Sequence, residues 1–359
     1  MKKSLPLVFA LLVLTACRGN QQKETIVLSP DVITAPTAHD TDDPAIWIHP
    51  DDASRSLIIG TDKNAHGALY VFDLEGNIVH VTDTLQRPNN VDVAYGLRLN
   101  DSVTVDIAVT TERMRSAIRL FSLPDMTPID NGGIPVFEGN EEDFRLPMGL
   151  SLYTRVDSAG RNEVFAVVGR KEGPRENYLH QYRLTADANG NVTGELVRAF
   201  GNYSGTKEIE AIAVDNELGY IYYSDEQAGV RKYYADPEKG NEELAFFGTS
   251  GFKEDNEGIS IYKTGEQTGY ILVSNQGNGS FKVFPREGSA DNPHEHIEIV
   301  DILTETVESD GNEVTHLDLG EPFTNGIFVA MNDDKTFHYY DWRKFQAEID
   351  KALASADSK

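Results

Sequence analysis

Six times along this chain a short apolar run ends on an aromatic residue, at a mean spacing of about 53 residues. The runs read ALYVFDL, AIRLFSL, YLHQYRL, GVRKYYA, SFKVFPR and KTFHYYD, and their aligned aromatic residues are Phe72, Phe121, Tyr182, Tyr233, Phe284 and Tyr339. A repeat of this length is typical of solenoids, propellers and arrays, in which each unit packs only against its neighbours. Because no obvious linker separates the units, we expect all six to belong to one closed domain.

Each repeat unit contains several candidate strands. Two apolar runs precede the aromatic-ended run, and in five units a fourth run follows it. These runs are rich in β-branched and aromatic residues and are bounded by Gly, Asp and Asn, which is the pattern of strands joined by turns. Four-stranded units repeated around an axis form a β-propeller. The sequence therefore predicts an all-β, six-bladed β-propeller with four-stranded antiparallel blades.

The two ends of the propeller are predicted to meet in the sixth blade. The sixth unit has no fourth run after Tyr339, whereas an unassigned strand-like segment, residues 24–28, precedes the first unit. Because an unpaired sheet edge is a liability, we expect this N-terminal strand to close the last blade. The propeller domain is thus predicted to cover residues 24–350, with a polar tail at 351–359. Within it, four apolar residues have the spacing of one face of a short C-terminal helix, namely Trp342, Phe345, Ile349 and Leu353.

The N-terminal segment has the features of a secretory signal. A basic start, Met1-Lys2-Lys3, is followed by an apolar stretch to Leu14 that is too short to span a membrane. The sequence Leu14-Thr15-Ala16-Cys17 resembles the lipobox of bacterial lipoproteins, and this resemblance implies that Cys17 is lipidated. We therefore expect a signal peptide at residues 1–16, a polar tether at 17–23, and a cell-envelope lipoprotein at the outer membrane or facing the periplasm. An ordinary signal peptide with an incidental cysteine is the alternative.

Composition excludes several classes of function. Cys17 is the only cysteine, so the mature chain has no other thiol for a disulfide or a nucleophile. Acidic residues outnumber basic ones by 58 to 32, giving a formal net charge of −26. Such a charge argues against nucleic-acid binding, and it would repel an anionic ligand unless cations intervene. We expect a monomer that contacts a membrane only through the Cys17 lipid.

Carboxylates recur where each predicted innermost strand begins. The residues aligned at this point are Asp43, Asp92, Met148, Glu210, Glu257 and Asp310, and the neighbouring Asp42 and Asp255 add further oxygens. A single Asp before a strand is usually a turn former. Five carboxylates converging on one mouth of a propeller would instead repel one another unless cations lay between them. Because no His or Cys residues cluster with them, oxygen ligands of this kind favour Ca²⁺ over zinc.

A second row of residues follows the second predicted strand of each unit. It reads Lys63, Arg113, Lys171, Glu226, Gln276 and Asn332, and Arg115, Arg170 and Glu172 flank it. Three blades would thus present cations beside three that present oxygens. Arg binds two phosphate oxygens at once and Lys acts as a point charge, so the row indicates a phosphorylated ligand. Solvated loop charge is the alternative.

The same residues resemble the β-propeller phytase family. The resemblance is specific in the segments DDPAIW at 42–47, GRKEG at 169–173 and NQGN at 275–278, and it extends from about Ile33 to Phe345. It implies a calcium-dependent phosphomonoesterase, of 3-phytase type, that hydrolyses phytate (myo-inositol hexakisphosphate) by attack of a calcium-bridged water. It also implies calcium ligands at Asp42, Asp43, Glu210, Glu226, Glu257, Gln276 and Asp310, and phosphate contacts at Lys63, Arg113, Lys171 and Glu172. Two departures are Met148, where the family often has Tyr, and Asn312-Glu313, where it tends to Ile-Asp.

Residue inventory and resemblance together give one predicted site. Several calcium ions are expected, with the ligands Asp42, Asp43, Asp92, Glu210, Glu226, Asp255, Glu257, Gln276 and Asp310. The predicted catalytic residues are Glu210, Glu226, Lys63 and Arg113, and the predicted substrate contacts are Lys63, Arg113, Lys171, Glu172 and Arg170. Two alternatives remain open. A calcium-dependent lactonase would not need cations on three adjacent blades, and a non-catalytic envelope scaffold would need an apolar surface patch instead.

Overall fold

The computed structural model describes residues 26–358, in which six antiparallel sheets follow one another around a ring. Before the first sheet comes a two-residue strand, β1 (Val32–Ile33). The first blade contains β2 (Thr41–Trp47), β3 (Leu57–Asp62), β4 (Leu69–Phe72) and β5 (Ile78–Val81). The second contains β6 (Pro88–Arg98), β7 (Thr104–Glu112) and β8 (Ala117–Leu123), with the short β9 (Thr127–Pro128) and β10 (Ile134–Pro135) both paired to β8.

The remaining four blades repeat the same order from the axis outward. The third contains β11 (Pro147–Val156), β12 (Asn162–Arg170), β13 (Glu176–Ala186) and β14 (Val192–Asn202), and the fourth β15 (Ile212–Asp215), β16 (Tyr220–Asp225), β17 (Gly229–Tyr234) and β18 (Ala245–Phe247). The fifth contains β19 (Asn256–Lys263), β20 (Gly269–Asn275), β21 (Ser280–Pro285) and β22 (Val300–Leu303), and the sixth β23 (Asn312–Thr315), β24 (Ile327–Asn332) and β25 (Thr336–Asp341). Single 3₁₀ turns lie at Ala53–Arg55, Arg113–Arg115, Glu142–Arg145 and Pro237–Lys239. The predicted six-bladed propeller is confirmed.

The aromatic residues of the repeat pack between neighbouring blades. All six are buried, and each lies on the third strand of its blade. Phe72 of the first blade lies against Phe337 of the sixth, with ring centroids 5.9 Å apart, and Tyr233 of the fourth lies against Phe200 of the third at 5.5 Å. Burying one large aromatic side chain at each blade interface contributes about 1.5–3 kcal/mol. The repeat in the sequence is therefore the repeat of this packing contact.

The N-terminal segment closes the sixth blade, as predicted, but through a different strand. β1 pairs with β25, with Val32 opposite Tyr339 and Ile33 opposite His338. Leu28 instead forms a single parallel bridge to Thr304, at the edge of the fifth blade. The prediction that residues 24–28 form the closing strand was therefore wrong over its described part. A two-residue strand is too short to leave a periodic signal, whereas the apolar run that did attract the prediction has Ile26 and Val27 each 48% exposed.

One helix follows the last strand. α1 (Trp342–Asp357) begins after Asp341, whose side chain accepts a hydrogen bond from Arg343 N at 3.0 Å and so caps it. Trp342 stacks on Tyr262 of the fifth blade, with ring centroids 3.6 Å apart, and Phe345 and Ile349 are buried with it. The fourth residue of the predicted apolar face, Leu353, is instead 41% exposed. The helix continues through most of the segment that we interpreted as a polar tail. Within residues 26–358 no helix has both the length and the apolar character that crossing a membrane requires. The predicted signal peptide, Cys17 and the tether lie outside the described residues.

A buried histidine gives the fold a defined response to acid. His296 is 5% exposed and packs on Phe247, with Nδ1 donating to Pro285 O at 2.7 Å. Burial and the nearby Lys232 lower the pKa of His296 to about 4, whereas the pKa of an unfolded histidine is about 6.5. The unfolded chain therefore binds a proton first as pH falls, and stability from this group is lost between pH 6.5 and 4.

We expect wild-type protein to lose about 2 kcal/mol more unfolding free energy than His296→Gln between pH 7 and pH 4.5. Glutamine retains an amide that can donate to Pro285 O but does not titrate, so the variant isolates the proton. The measurement is denaturant unfolding of both proteins at the two pH values. Parallel pH profiles would contradict the assignment.

Candidate active site

One mouth of the ring collects residues from two kinds of position. The first residue after the second strand of each of five successive blades lies at this mouth, namely Lys63, Arg113, Lys171, Glu226 and Gln276. The second kind of position is the beginning of each inner strand, where the chain forms a turn or a bulge. Here β2, β6, β11 and β19 each carry a register irregularity in pairing with the following strand. A β-bulge re-aims the side chains at the end of a strand, so it turns one residue of each inner strand toward the mouth.

These irregularities correct the alignment of the carboxylate row. Between Thr41 and Pro44 the residue that opens the bulge is Asp42, and between Pro88 and Val91 it is Asn89. The equivalent positions around the ring are therefore Asp42, Asn89, Met148, Glu210, Glu257 and Asp310. The sequence alignment that placed Asp43 and Asp92 in this row was wrong because it counted from the start of the apolar run, whereas β2 and β6 begin at Thr41 and Pro88, with polar residues ahead of that run.

In the third and sixth units the residue that follows this position is a glycine packed against the next blade. A Cβ on Gly149 would collide with Glu210 O, and one on Gly311 would collide with Asp43. Glycine at these two positions lets the blades approach closely, and this approach brings carboxylates of different blades together.

Lys63 joins three blades at the mouth. Its ammonium lies 2.8 Å from Asp310 Oδ2 and 3.9 Å from Glu210 Oε1, and it also contacts Asp42. Burial alone would lower the pKa of Lys63, but the three carboxylates outweigh it and raise the pKa well above its usual value. For Asp310, burial would raise the pKa, but Lys63 and local hydrogen bonds lower it. The ammonium thus remains charged in the middle of an acidic cluster.

Glu226 belongs to two groups of three carboxylates. One group is Glu208, Glu210 and Glu226, and the other is Glu226, Asp255 and Glu257; within each, one oxygen per residue lies within 4.8 Å of the others. Glu226 is 0% exposed, and neither of its carboxylate oxygens has a hydrogen-bond partner. Burial, with Glu210 and Glu208 nearby, outweighs the opposing effect of Lys207 and raises the pKa of Glu226 to about 9. A buried, unpartnered carboxylate is costly unless a cation compensates it.

The donor set of these groups suits a hard cation. All five members offer carboxylate oxygens, with no Cys or His among them. Gln276 joins the second group, donating from Nε2 to Asp310 Oδ1 at 2.7 Å and to Glu257 Oε2 at 3.3 Å. Ca²⁺ takes six to eight oxygen ligands in adaptable geometry. Because Glu226 is shared by both groups and its oxygens lack hydrogen-bond partners, the residues fit more than one such ion.

Two residues of this cluster escaped sequence reasoning. Lys207 Nζ lies 3.0 Å from Glu226 Oε2, though without hydrogen-bond geometry, and 3.6 Å from Glu257 Oε1, and it also contacts Asp255. Glu208 is two residues before Glu210, so in an extended segment both side chains point to the same side. That alternation could have identified Glu208; no comparable signal existed for Lys207.

The basic side of the mouth is connected to the acidic side through an amide. Arg113 opens a 3₁₀ turn, is 6% exposed, and contacts Asn89 Oδ1 and Met148 Sδ. Asn89 Nδ2 in turn donates to Asp42 Oδ2 at 2.6 Å and to Glu210. Met148 therefore packs against Arg113; the family that this sequence resembles often has Tyr at this position. Lys171 completes this side, with Nζ 2.7 Å from Glu208 Oε2.

The structure does not bring every predicted substrate contact to the mouth. Arg170 is 1% exposed, lies 4.2 Å from the centre of the Phe137 ring, and donates to Tyr178 O at 2.8 Å and Asn177 O at 2.9 Å. Its guanidinium is thus committed to packing and to backbone carbonyls, and we interpret it as a residue that positions the Lys171 loop. Glu172 is exposed on that loop, and its role as a phosphate contact stays a prediction.

Asp43 and Asp92 line the central channel instead of joining the two groups. The channel contains a cavity of about 270 Å³ whose wall includes Asp43, Asp92 and Glu313. Asp43 Oδ2 accepts from Val91 N at 3.0 Å, and Asp92 Oδ2 accepts from Ser151 Oγ at 2.8 Å. Burial raises the pKa of Asp92 to about 6, and it also raises the pKa values of Asp43 and Glu313 well above their usual range. Their role as metal ligands stays a prediction.

Comparison with known proteins gives a consistent match. The family profile described as Phytase matches residues 4–339. A protein of Bacillus subtilis (strain 168) named 3-phytase is 30% identical over 303 residues, which cover 82% of this chain and 74% of that relative.

Proposed function

The chain belongs to the phytase family, and from this premise we propose that it is a calcium-dependent phosphomonoester hydrolase that releases phosphate from phytate. One observation carries the proposal: two carboxylate groups, which have Glu226 in common, lie at the same mouth as the basic residues Lys63, Arg113 and Lys171. Since the Bacillus relative is named a 3-phytase, we propose the same type of activity here.

The charge of the protein explains why metal and basic residues would act together. A chain with a formal net charge of −26 repels a polyanion such as phytate. Ca²⁺ between the carboxylates would neutralise the most acidic part of the mouth, supply positive charge there and activate water for attack on phosphorus. The candidate ligands that the structure brings together are Asp42, Glu208, Glu210, Glu226, Asp255, Glu257, Gln276 and Asp310.

The chain's own side chains would stabilise charge, bind phosphate and orient water. Lys63 and Arg113, both largely buried, would offset the charge that builds on the equatorial phosphoryl oxygens during transfer. Lys171, whose side chain is 40% exposed, is placed to bind a neighbouring phosphate. Glu210 and Glu226 would orient the attacking water and accept its proton. Asn89 would keep Arg113 and Glu210 at a fixed separation.

Phosphate release from phytate tests the proposal directly. We expect release in the presence of calcium, complete loss in excess EDTA, and recovery on adding calcium back, because the carboxylate groups cannot bind a polyanion uncompensated. An inactive variant, Glu210→Gln, controls for contaminating phosphatase. Full activity in chelator would contradict calcium dependence, and binding of phytate without any phosphate release would indicate the scaffold alternative.

We further propose that the protein is a monomeric lipoprotein of the cell envelope, anchored through Cys17. The support is the lipobox-like sequence that precedes this residue. Mass spectrometry of the mature N-terminus, compared with Cys17→Ser, tests it: a lipid-bearing Cys17 is expected, and a chain cleaved elsewhere without lipid would contradict it.

A further inference from the structure

The second carboxylate group already contains a cation supplied by the chain itself. The ammonium of Lys207 lies among Glu226, Asp255 and Glu257, at 3.0 Å from Glu226 and 3.6 Å from Glu257, and it also contacts Asp255. These three carboxylates are the ones whose oxygens lie within 4.8 Å of one another. Lys207 thus occupies the space that a metal ion would need.

Lys207 differs from Lys63 in how firmly it is placed. The Lys63 side chain is 14% exposed, whereas that of Lys207 is 39% exposed and reaches the group from a segment between β14 and β15 that has no regular structure. A long side chain with one end in solvent can move its charge out at little cost. Glu226, by contrast, is fully buried with both oxygens lacking hydrogen-bond partners, so the group retains its demand for a cation when Lys207 leaves.

We propose that Lys207 is a tethered competitor of the metal: it occupies the Glu226–Asp255–Glu257 group in the metal-free protein and is displaced when a divalent cation binds. An ammonium and a metal ion cannot share one position between three carboxylates, and their mutual repulsion at this distance is large. The lysine therefore lowers the affinity of the group for calcium and raises the calcium concentration at which the site fills. This inference rests on the calcium dependence in the proposed function, and its test does not use the reaction.

Calcium titration of the metal-stripped full chain, without substrate, measures the effect. Lys207→Met removes the charge but keeps an apolar stem of similar length, and we expect its calcium affinity at one site to rise about tenfold. Lys207→Arg keeps the charge and should bind calcium within about twofold of wild type. Lys344→Met is the matched control, because Lys344 is 33% exposed and pairs with Asp31, outside the site.

A second readout covers the case in which Lys207→Met does not fold without metal. The calcium-loaded variant is then mixed with excess chelator, and we expect calcium to leave it more slowly than it leaves wild type. Unchanged or weaker calcium binding, or unchanged release, would overturn the inference, as would a lack of calcium binding in every variant.

The two proposals can fail separately. Tighter calcium binding by Lys207→Met in a protein that releases no phosphate from phytate would support the competitor and overturn the hydrolase. Calcium-dependent phosphate release with equal calcium affinities would overturn the competitor alone.

Discussion

Replacing Glu226 by Gln is expected to lower turnover of phytate by about 100-fold or more. Glu226 is the residue shared by both carboxylate groups, and it is the one whose two oxygens lie fully buried without hydrogen-bond partners. Glutamine has the same shape but no negative charge, so the variant would lose cation binding in both groups at once. Steady-state kinetics at saturating calcium measure the loss.

A thermal signature separates this role from simple damage to the fold. Burial and the nearby Glu210 raise the pKa of Glu226 to about 9 without metal, so the charge of this carboxyl stabilises the metal-free protein little. We therefore expect wild type and Glu226→Gln to melt at similar temperatures in chelator. Calcium should raise the melting temperature of wild type more than it raises that of the variant. Glu195→Gln, at a side chain that is 69% exposed, is the control. Turnover within about twofold of wild type, with a normal response to calcium, would refute the assignment.

Removing the closing strand is expected to lower the melting temperature by about 10 °C. A chain beginning at residue 35 loses β1, whose neighbours bond to the last strand through Asp31 N to Tyr339 O at 2.8 Å and Thr34 N to Phe337 O at 3.0 Å. It also loses Leu28, which is 7% exposed in the core beside the helix. Several hydrogen bonds and one buried leucine together contribute about 6 kcal/mol, which corresponds to this shift for a chain of about this size.

The control for this truncation is a chain beginning at residue 26, which retains the closing strand. Differential scanning calorimetry of both chains with calcium present isolates the contribution of residues 26–34. Loss of the strand also frees the edge of β25, so we expect the shorter chain to aggregate more readily. Equal melting temperatures would show that the ring does not depend on N-terminal closure.

The candidate site was predictable where residues at the same position of each sequence repeat also occupy the same position in each blade. Counting residues from the repeat was sufficient to align the five residues that each follow the second strand of a blade, namely Lys63, Arg113, Lys171, Glu226 and Gln276. The sixth residue of that predicted row, Asn332, is one position out of register, because it is the last residue of β24. The inner row was harder, because polar residues begin β2 and β6 ahead of the apolar run from which the count started. Asp42 and Asn89 therefore replaced Asp43 and Asp92 at the equivalent positions.

Side-chain contacts that form only in the folded protein have no pattern in the sequence from which they could be predicted. Arg170 lies next to Lys171 in sequence but turns away to stack on Phe137. Lys207 belongs to no repeat position, and only the approach of the fourth and fifth blades brings its ammonium to Asp255 and Glu257. Such contacts depend on side-chain direction and on distances between segments far apart in the chain.

By itself the sequence determined the number of blades, the strand content, the C-terminal helix and the collection of acidic and basic loops at one mouth, because each is a local pattern repeated with a fixed period. Only the tertiary structure decided which strand closes the ring, which carboxylates share a cation-sized space, and which lysine occupies it. These depend on register and on packing between blades, where a shift of one residue reverses the direction of a side chain.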